Sequence, residues 1–241
     1  MRPVLRAASL GLLSTAQWWL LSMVLGGVAV FAALADGARE SGDLSSIDPS
    51  LHDTIVAHRS TAVTPIAEGL TFVGNLATML ALTVLVLAFL TVVRKERWQA
   101  AVFAAAMAGS AAMTYLGKLL IGRHRPSAQS MMNGIDAEFA FPSGHTLNAT
   151  VFFGMIAVLV IVGSRSALWK AGALVVAVAV PAGIGLSRLY LGYHWFTDVL
   201  GAWFLGVSWV CALGFVLVSR SSRIEAGSAA LAAPVPATAG E

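Results

Sequence analysis

The sequence predicts an all-α, polytopic membrane protein with six transmembrane helices in one bundle. Three observations predict it. Of 241 residues, 58% are hydrophobic and 11% charged, whereas soluble domains carry about a quarter charged residues. Six apolar runs reach the length of about 20 residues that a helix needs to cross a hydrocarbon core about 30 Å thick. None of the runs alternates like the strands of a membrane barrel, and backbone groups in lipid must be satisfied within their own segment, which selects helices.

The spans read as 12–35, 65–93, 98–120, 144–163, 168–187 and 196–218. Arg2 and Arg6 precede the first, and Ala33-Leu34-Ala35 ends it as a cleaved signal would end. Its apolar stretch exceeds the about 7–15 residues of a signal core, so a retained helix is expected. Residues 36–64 form a polar loop in which Asp48-Pro49, followed by Leu51, Ile55 and Val56, offers a short interfacial helix; a plain solvated loop is the alternative. Residues 121–143 form a second loop, rich in Arg, His, Gly and Pro. After Ile224 the chain is Ala, Pro, Gly and Ser, which predicts a disordered tail over 224–241 behind a membrane domain over 1–223. The single cysteine, Cys211, lies in an apolar run, cannot form an internal disulfide, and reads as a small packing residue. A net charge of +3 with no long basic run gives no footprint for nucleic acid. No protein partner is evident.

The Lys/Arg bias of short loops sets the expected orientation. Arg2, Arg6, Arg94, Lys95, Arg97, Arg165, Lys170, Arg220 and Arg223 share one side, nine of the fifteen basic residues. That side is expected to be cytoplasmic, with both termini, in the cell (plasma) membrane. Trp18, Trp19, Trp98, Trp169 and Trp195 fall near span ends and read as interfacial anchors.

Three clusters of chemistry map to the opposite, outer side. Lys118-Leu-Leu-Ile-Gly-Arg-His-Arg125-Pro126 ends the third span. Arg125 can fork two donors onto a phosphate while Lys118 acts as a point charge; interfacial snorkelling explains either residue taken alone. Phe141-Pro142-Ser143-Gly144-His145-Thr146 opens the fourth span. A helix start offers unpaired N–H groups to an anion, Gly144 permits close approach, and His145 beside it can carry a proton. Ser187-Arg188 and His194…Asp198 bracket the turn between the fifth and sixth spans. Asp198 four residues after His194 places both on one helical face, where a carboxylate on one imidazole nitrogen leaves the other free to attack. Together the clusters supply three cations, an anion-binding helix start, two histidines and one carboxylate, the set that phosphoryl transfer uses. Asp136 and Glu138 read as solvated carboxylates, and no cluster has metal-ligand spacing.

In order and spacing, KLLIGRHRP, PSGH and SRLYLGYHWFTD resemble the signature of the type 2 phosphatidic acid phosphatase superfamily. All eleven specified positions are present, and the likeness covers residues 65–218. The resemblance implies a lipid phosphatase with His194 as the nucleophile forming a phosphohistidine, Asp198 orienting it, and His145 as general acid. Lys118, Arg125, Arg188, Ser143 and Gly144 would bind the phosphate, with no metal and no other cofactor. Expected substrates are lipid phosphates or pyrophosphates of the undecaprenyl pyrophosphate, phosphatidylglycerol phosphate or phosphatidic acid type. A lipid-linked phosphate or headgroup transferase uses the same site, and an anion transporter is the non-enzyme alternative. Two histidines in opposite protonation states predict a bell-shaped pH profile.

Overall fold

The computed structural model describes residues 14–40 and 45–231. Eight α-helices follow in order: α1 Thr15–Glu40, α2 Ile47–Ala57, α3 Thr64–Gly74, α4 Leu76–Ala88, α5 Arg97–Ile121, α6 Gly144–Gly163, α7 Ala167–Tyr190 and α8 Phe196–Leu231. Six of them are long and apolar enough to span a membrane, α4 counted with the π-helical turn Phe89–Val93 that extends it.

The second span departs from its expected bounds. Residues 65–93 are not one helix: Gly74 ends α3, and Asn75, extended at ψ 158°, starts α4 by accepting a hydrogen bond from the Thr78 amide at 2.8 Å. Asn is a strong N-cap because its short side chain can replace the missing helical acceptor. The break also lets α3 sit close to the site. A Cβ on Gly74 would come within 2.7 Å of Ile184 Cγ2 and 3.4 Å of His145 Cδ2. α2 occupies the segment where the short helix was expected. α8 runs on to Leu231, past the expected end of order at Ile224, because Ala and Leu in Ala226–Leu231 are strong helix formers; residues 232–241 lie outside the described residues, as do residues 1–13.

The bundle is apolar on the outside as well as within. Leu76, Leu80, Val84 and Leu85 of α4 and Leu168, Leu174, Val175 and Val178 of α7 are all exposed. Surfaces of this kind suit a hydrocarbon solvent. The interior core joins α5, α6 and α8 through Phe103, Leu147, Val151, Phe152, Met155 and Ala202. A second cluster seats Leu34 and Ala35 of α1 against Phe141, Leu200 and Phe204.

Small residues set the helix spacing. In lipid, helices associate by close packing rather than by hydrophobic burial. Gly154 of α6 faces Val210, Gly109 of α5 faces Trp209, and a Cβ on Gly206 of α8 would lie 2.8 Å from Thr150 Cγ2 and 2.9 Å from its Cβ. Thr150 cannot yield easily, because it is β-branched, buried, and bonded to the Thr146 carbonyl at 2.8 Å. Gly206→Ala therefore forces α6 and α8 apart and should cost about 1–3 kcal/mol. Thermal unfolding in detergent checks this, and an unchanged midpoint would show that the interface is loosely packed.

Candidate active site

One end of the bundle gathers the C-terminal ends of α5 and α7 and the N-terminal ends of α3, α6 and α8. All eight residues singled out in the sequence as candidate site residues lie there.

α5 stops because Gly122 adopts φ 66° and caps the Lys118 carbonyl through its N–H at 3.0 Å. Left-handed backbone of this kind favours glycine. The stop leaves Lys118 in the last turn and sends Arg123 and Arg125 out along the site. On the other side, Gly192 at φ 85° turns the chain from α7 into α8 and presents Tyr193, His194 and Trp195. His194 lies in this turn, not on a helix. Asp198 is on the first turn of α8 and accepts a hydrogen bond from the Trp195 amide at 2.8 Å. An acidic side chain three positions into a helix reaching back to the capping residue's N–H is half of a capping box. The expected i,i+4 pair thus forms through the helix start rather than along a helical face.

His194 is 2% exposed and Asp198 fully buried. His194 Nδ1 is 3.3 Å from Asp198 Oδ2, and Nε2 is 3.2 Å from Arg125 Nη1. Arg125 can only donate, so Nε2 accepts and Nδ1 carries the proton toward Asp198. The imidazole therefore turns its unprotonated nitrogen toward the cations. Burial, then the charges of Arg125, Arg188 and Lys118, push His194 well below its ordinary range, against an opposing backbone hydrogen bond involving Ala140.

Arg125 is anchored by the carbonyls of Tyr193 at 2.7 Å and Glu138 at 2.8 Å. Arg188, 5% exposed, donates to Thr71 Oγ1 at 2.9 Å and stacks 4.0 Å above the Tyr193 ring. Its Nε is buried without a hydrogen-bond partner. Ser143 is fully buried at the N-cap of α6; its N–H meets the Asp198 carbonyl at 3.2 Å and its Oγ accepts from Thr146 at 3.0 Å. Gly144 is required for packing in addition to any role with an anion, because a Cβ there would stand 2.9 Å from Thr114 Cγ2. His145 follows on the same turn and feels the charges of Arg188, His194, Arg125 and Lys118.

Two features depart from the sequence reading. Asp136 and Glu138 are not simply solvated. Asp136 pairs with Arg125 at 2.7 Å and approaches Arg188 at 3.9 Å, and Glu138 pairs with Lys118. The Lys118 hydrogen bond and charge hold the Glu138 carboxyl below its usual range. Trp195 is not only an interfacial anchor: its indole N–H donates to the His124 carbonyl at 2.8 Å and its ring faces His52 and Arg123. In the sequence Asp48 reads only as a helix start and Arg123 only as a basic loop residue, and Thr71 carries no signal. Arg123, two residues from Arg125 and charged at membrane depth, was the one detectable signal. Among the described residues, no three His, Cys, Asp or Glu side chains gather closely enough to hold a metal ion.

The PAP2 superfamily profile matches residues 99–221. Phosphatidylglycerophosphatase B of Bacillus subtilis (strain 168) is 28% identical over 180 residues, covering 74% of this chain and 87% of that protein. The crystal structure of a transmembrane PAP2-type phosphatidylglycerolphosphate phosphatase from Bacillus subtilis superposes with a TM-score of 0.71 at 26% identity, covering 84% of this chain and 97% of that one. The crystal structure of Aquifex aeolicus LpxE superposes with a TM-score of 0.49 at 22% identity, over 72% of this chain and 95% of that one.

Proposed function

Because the chain belongs to the PAP2 superfamily and is a membrane phosphatase of it, we propose that it removes phosphate from a lipid phosphate or lipid pyrophosphate through a phosphohistidine on His194. The observation that carries the reading is the orientation of one buried imidazole. Its Nδ1 is backed by Asp198 and its Nε2 faces Arg125, beside Arg188 and Lys118. Those three cations would hold the phosphoryl oxygens, with Ser143 and the Gly144 amide at the start of α6 adding donors. Nε2 attacks phosphorus as the bond to the lipid oxygen breaks, and His145 gives that oxygen its proton. Water then attacks the phosphohistidine, returns a proton to His145, and releases inorganic phosphate and free His194. No metal enters either step.

Among lipid substrates, the relatives named for phosphatidylglycerophosphate favour that lipid, with phosphatidic acid and undecaprenyl pyrophosphate as the other members of the panel. The basic side of the bundle, with Arg94, Lys95, Arg97, Arg165 and Arg220, would face the cytoplasm together with both termini, which turns the site outward. Purified protein in detergent with EDTA should release phosphate from this panel, fastest from phosphatidylglycerophosphate, and His194→Ala should abolish release. Right-side-out vesicles carrying substrate only in the outer leaflet read the facing. No release from any of the lipids by folded protein would refute the reading, and an active His194→Ala would refute the nucleophile.

The depressed His194 gives a pH prediction. Protonation removes the attacking lone pair, and a folded-state value below 6.5 keeps the ring neutral through the neutral range. The acid limb of kcat/KM, which reports the free enzyme, should therefore fall below pH 6.5. The same sign governs stability: as pH falls through 6.5 the unfolded chain takes up a proton that the folded site resists, so stability is lost on acidification. An acid limb at or above pH 6.5 would mean that the Asp198 carboxylate, rather than burial and the cations, governs the His194 proton.

Asp136 and Glu138 occupy donors that a phosphoryl group would use. A bound phosphate must displace them, so they weaken anion affinity. In the doubly substituted Asp136→Asn, Glu138→Gln protein, inorganic phosphate should inhibit about tenfold more tightly, the factor that ~1.4 kcal/mol represents. Weaker inhibition would mean that the two carboxylates hold the cations in place for the anion instead.

A further inference from the structure

A buried polar network lies behind the catalytic pair at the site end of the bundle. Arg123 leaves the end of α5 with its side chain 11% exposed and forks between two carboxylates. Its Nη1 donates to Asp198 Oδ1 at 2.6 Å and to Thr197 Oγ1 at 2.7 Å, and its Nη2 donates to Asp48 Oδ2 at 2.7 Å. Asp48, 1% exposed on the first turn of α2, also accepts from the Thr197 amide at 3.0 Å and from the Thr197 hydroxyl at 2.5 Å. A continuous chain of contacts thus runs Asp48, Arg123, Asp198, His194, from the loop helix to the nitrogen behind the reacting one.

Each link has a physical function. Asp198 has two oxygens. Oδ2 serves the Trp195 amide and His194 Nδ1, and Oδ1 is held by Arg123. Without Arg123 only the Trp195 amide holds the carboxylate against rotation about its χ2 bond, whose torsional well is broad. The Nδ1 partner would then no longer be fixed, and neither would the tautomer that leaves Nε2 free. Asp48 and Thr197 in turn fix the plane of the guanidinium. The planar fork presents donors to both carboxylates in one fixed plane, a geometry the compact ammonium of a lysine does not offer.

From this geometry we infer that Arg123 is a positioning residue for the phosphatase reaction, and that Asp48 docks α2 onto the site by holding it. Through Arg123 the two residues fix the rotamer of Asp198 and the orientation of His194. The segment 45–57 is on this account part of the catalytic apparatus. The inference rests on the reading of His194 as the nucleophile oriented by Asp198.

A cavity of about 380 Å³ lies against this network, lined by Asp48, Arg123, His124 and Trp195 among others. It provides a test that loss of folding cannot imitate. Arg123→Ala would open that cavity toward Asp198 and Asp48, and methylguanidinium could enter it and bridge the two carboxylates. With a lipid phosphate as substrate, Arg123→Ala should lose about 100-fold in kcat, the scale of a misplaced reacting group, with KM nearly unchanged. Methylguanidinium, kept below concentrations that unfold the protein, should restore a large part of kcat; methylammonium, which has no fork, should not. Arg123→Lys and Asp48→Asn should each lose kcat while eluting as folded protein, and they carry the test if Arg123→Ala fails to fold.

Failure of the underlying reading shows separately, as a wild-type protein without activity or an active His194→Ala. With those two controls as expected, wild-type kcat in any folded Arg123 or Asp48 variant overturns the positioning role. So does a loss in folded Arg123→Ala that methylguanidinium leaves untouched.

Discussion

Three cations set around one buried imidazole repel one another, and that repulsion governs how the end of the bundle is built. Arg125 and Arg188 have side chains only 5% and 6% exposed, so water screens them little. The fold answers with fixed partners. Arg188 rests on the Tyr193 ring and Thr71, Arg125 on two carbonyls, and Asp136 approaches both guanidinium groups. Burial keeps the imidazole neutral, and the same charges add to it, since a fourth positive charge there would be opposed by all three. On the proposed reading, the cations that would bind phosphate and the neutrality of the His194 ring belong to one electrostatic arrangement.

That arrangement is held by helix termini rather than by long side chains. The N-cap residue of α6 donates its backbone N–H to the Asp198 carbonyl, and Asp198 caps α8. The start of α6 and the segment that presents His194 are thereby tied at backbone level. The αL glycine ending α5 and the left-handed Gly192 before α8 turn both neighbouring chains into the site at defined points. Placing chemistry at helix ends also avoids burying charge in the hydrocarbon-facing middle of the bundle, where it would be costly.

The parts of this architecture legible in the sequence are those with a local signature. Spans show as apolar length, and five of the six begin and end close to their expected bounds. The His194–Asp198 pair shows as a spacing, although its geometry comes from a capping turn. The Asn75 break was hidden because a single polar residue in an apolar run barely changes its hydropathy, while its effect on the backbone is absolute. The roles of Asp48, Asp136 and Glu138 were illegible for another reason. Asp48 lies 75 residues from Arg123 and 149 from Thr197, its buried partners. Nothing in its own neighbourhood distinguishes it from the solvated Asp expected at a helix start. A carboxylate's role at such a site depends on which cation stands opposite, and that is a property of the fold.

The depth of the site completes the case for an amphiphilic substrate. Lys118 stands in the last turn of α5 and Arg188 in that of α7, while His145 and Asp198 stand in the first turns of α6 and α8. In a bilayer these turns lie where the hydrocarbon ends and headgroups begin. A phosphate esterified to a lipid already sits at that level. On the proposed reading it meets the cations while its tails remain against the apolar outer walls of the bundle. A water-soluble phosphate would have to displace Asp136 and Glu138 with the affinity of its phosphate alone. A lipid phosphate is confined to the plane of the site by its tails, and that raises its effective concentration there. A latch of two carboxylates is compatible with turnover under that condition, because the membrane supplies what the competition with Asp136 and Glu138 takes away.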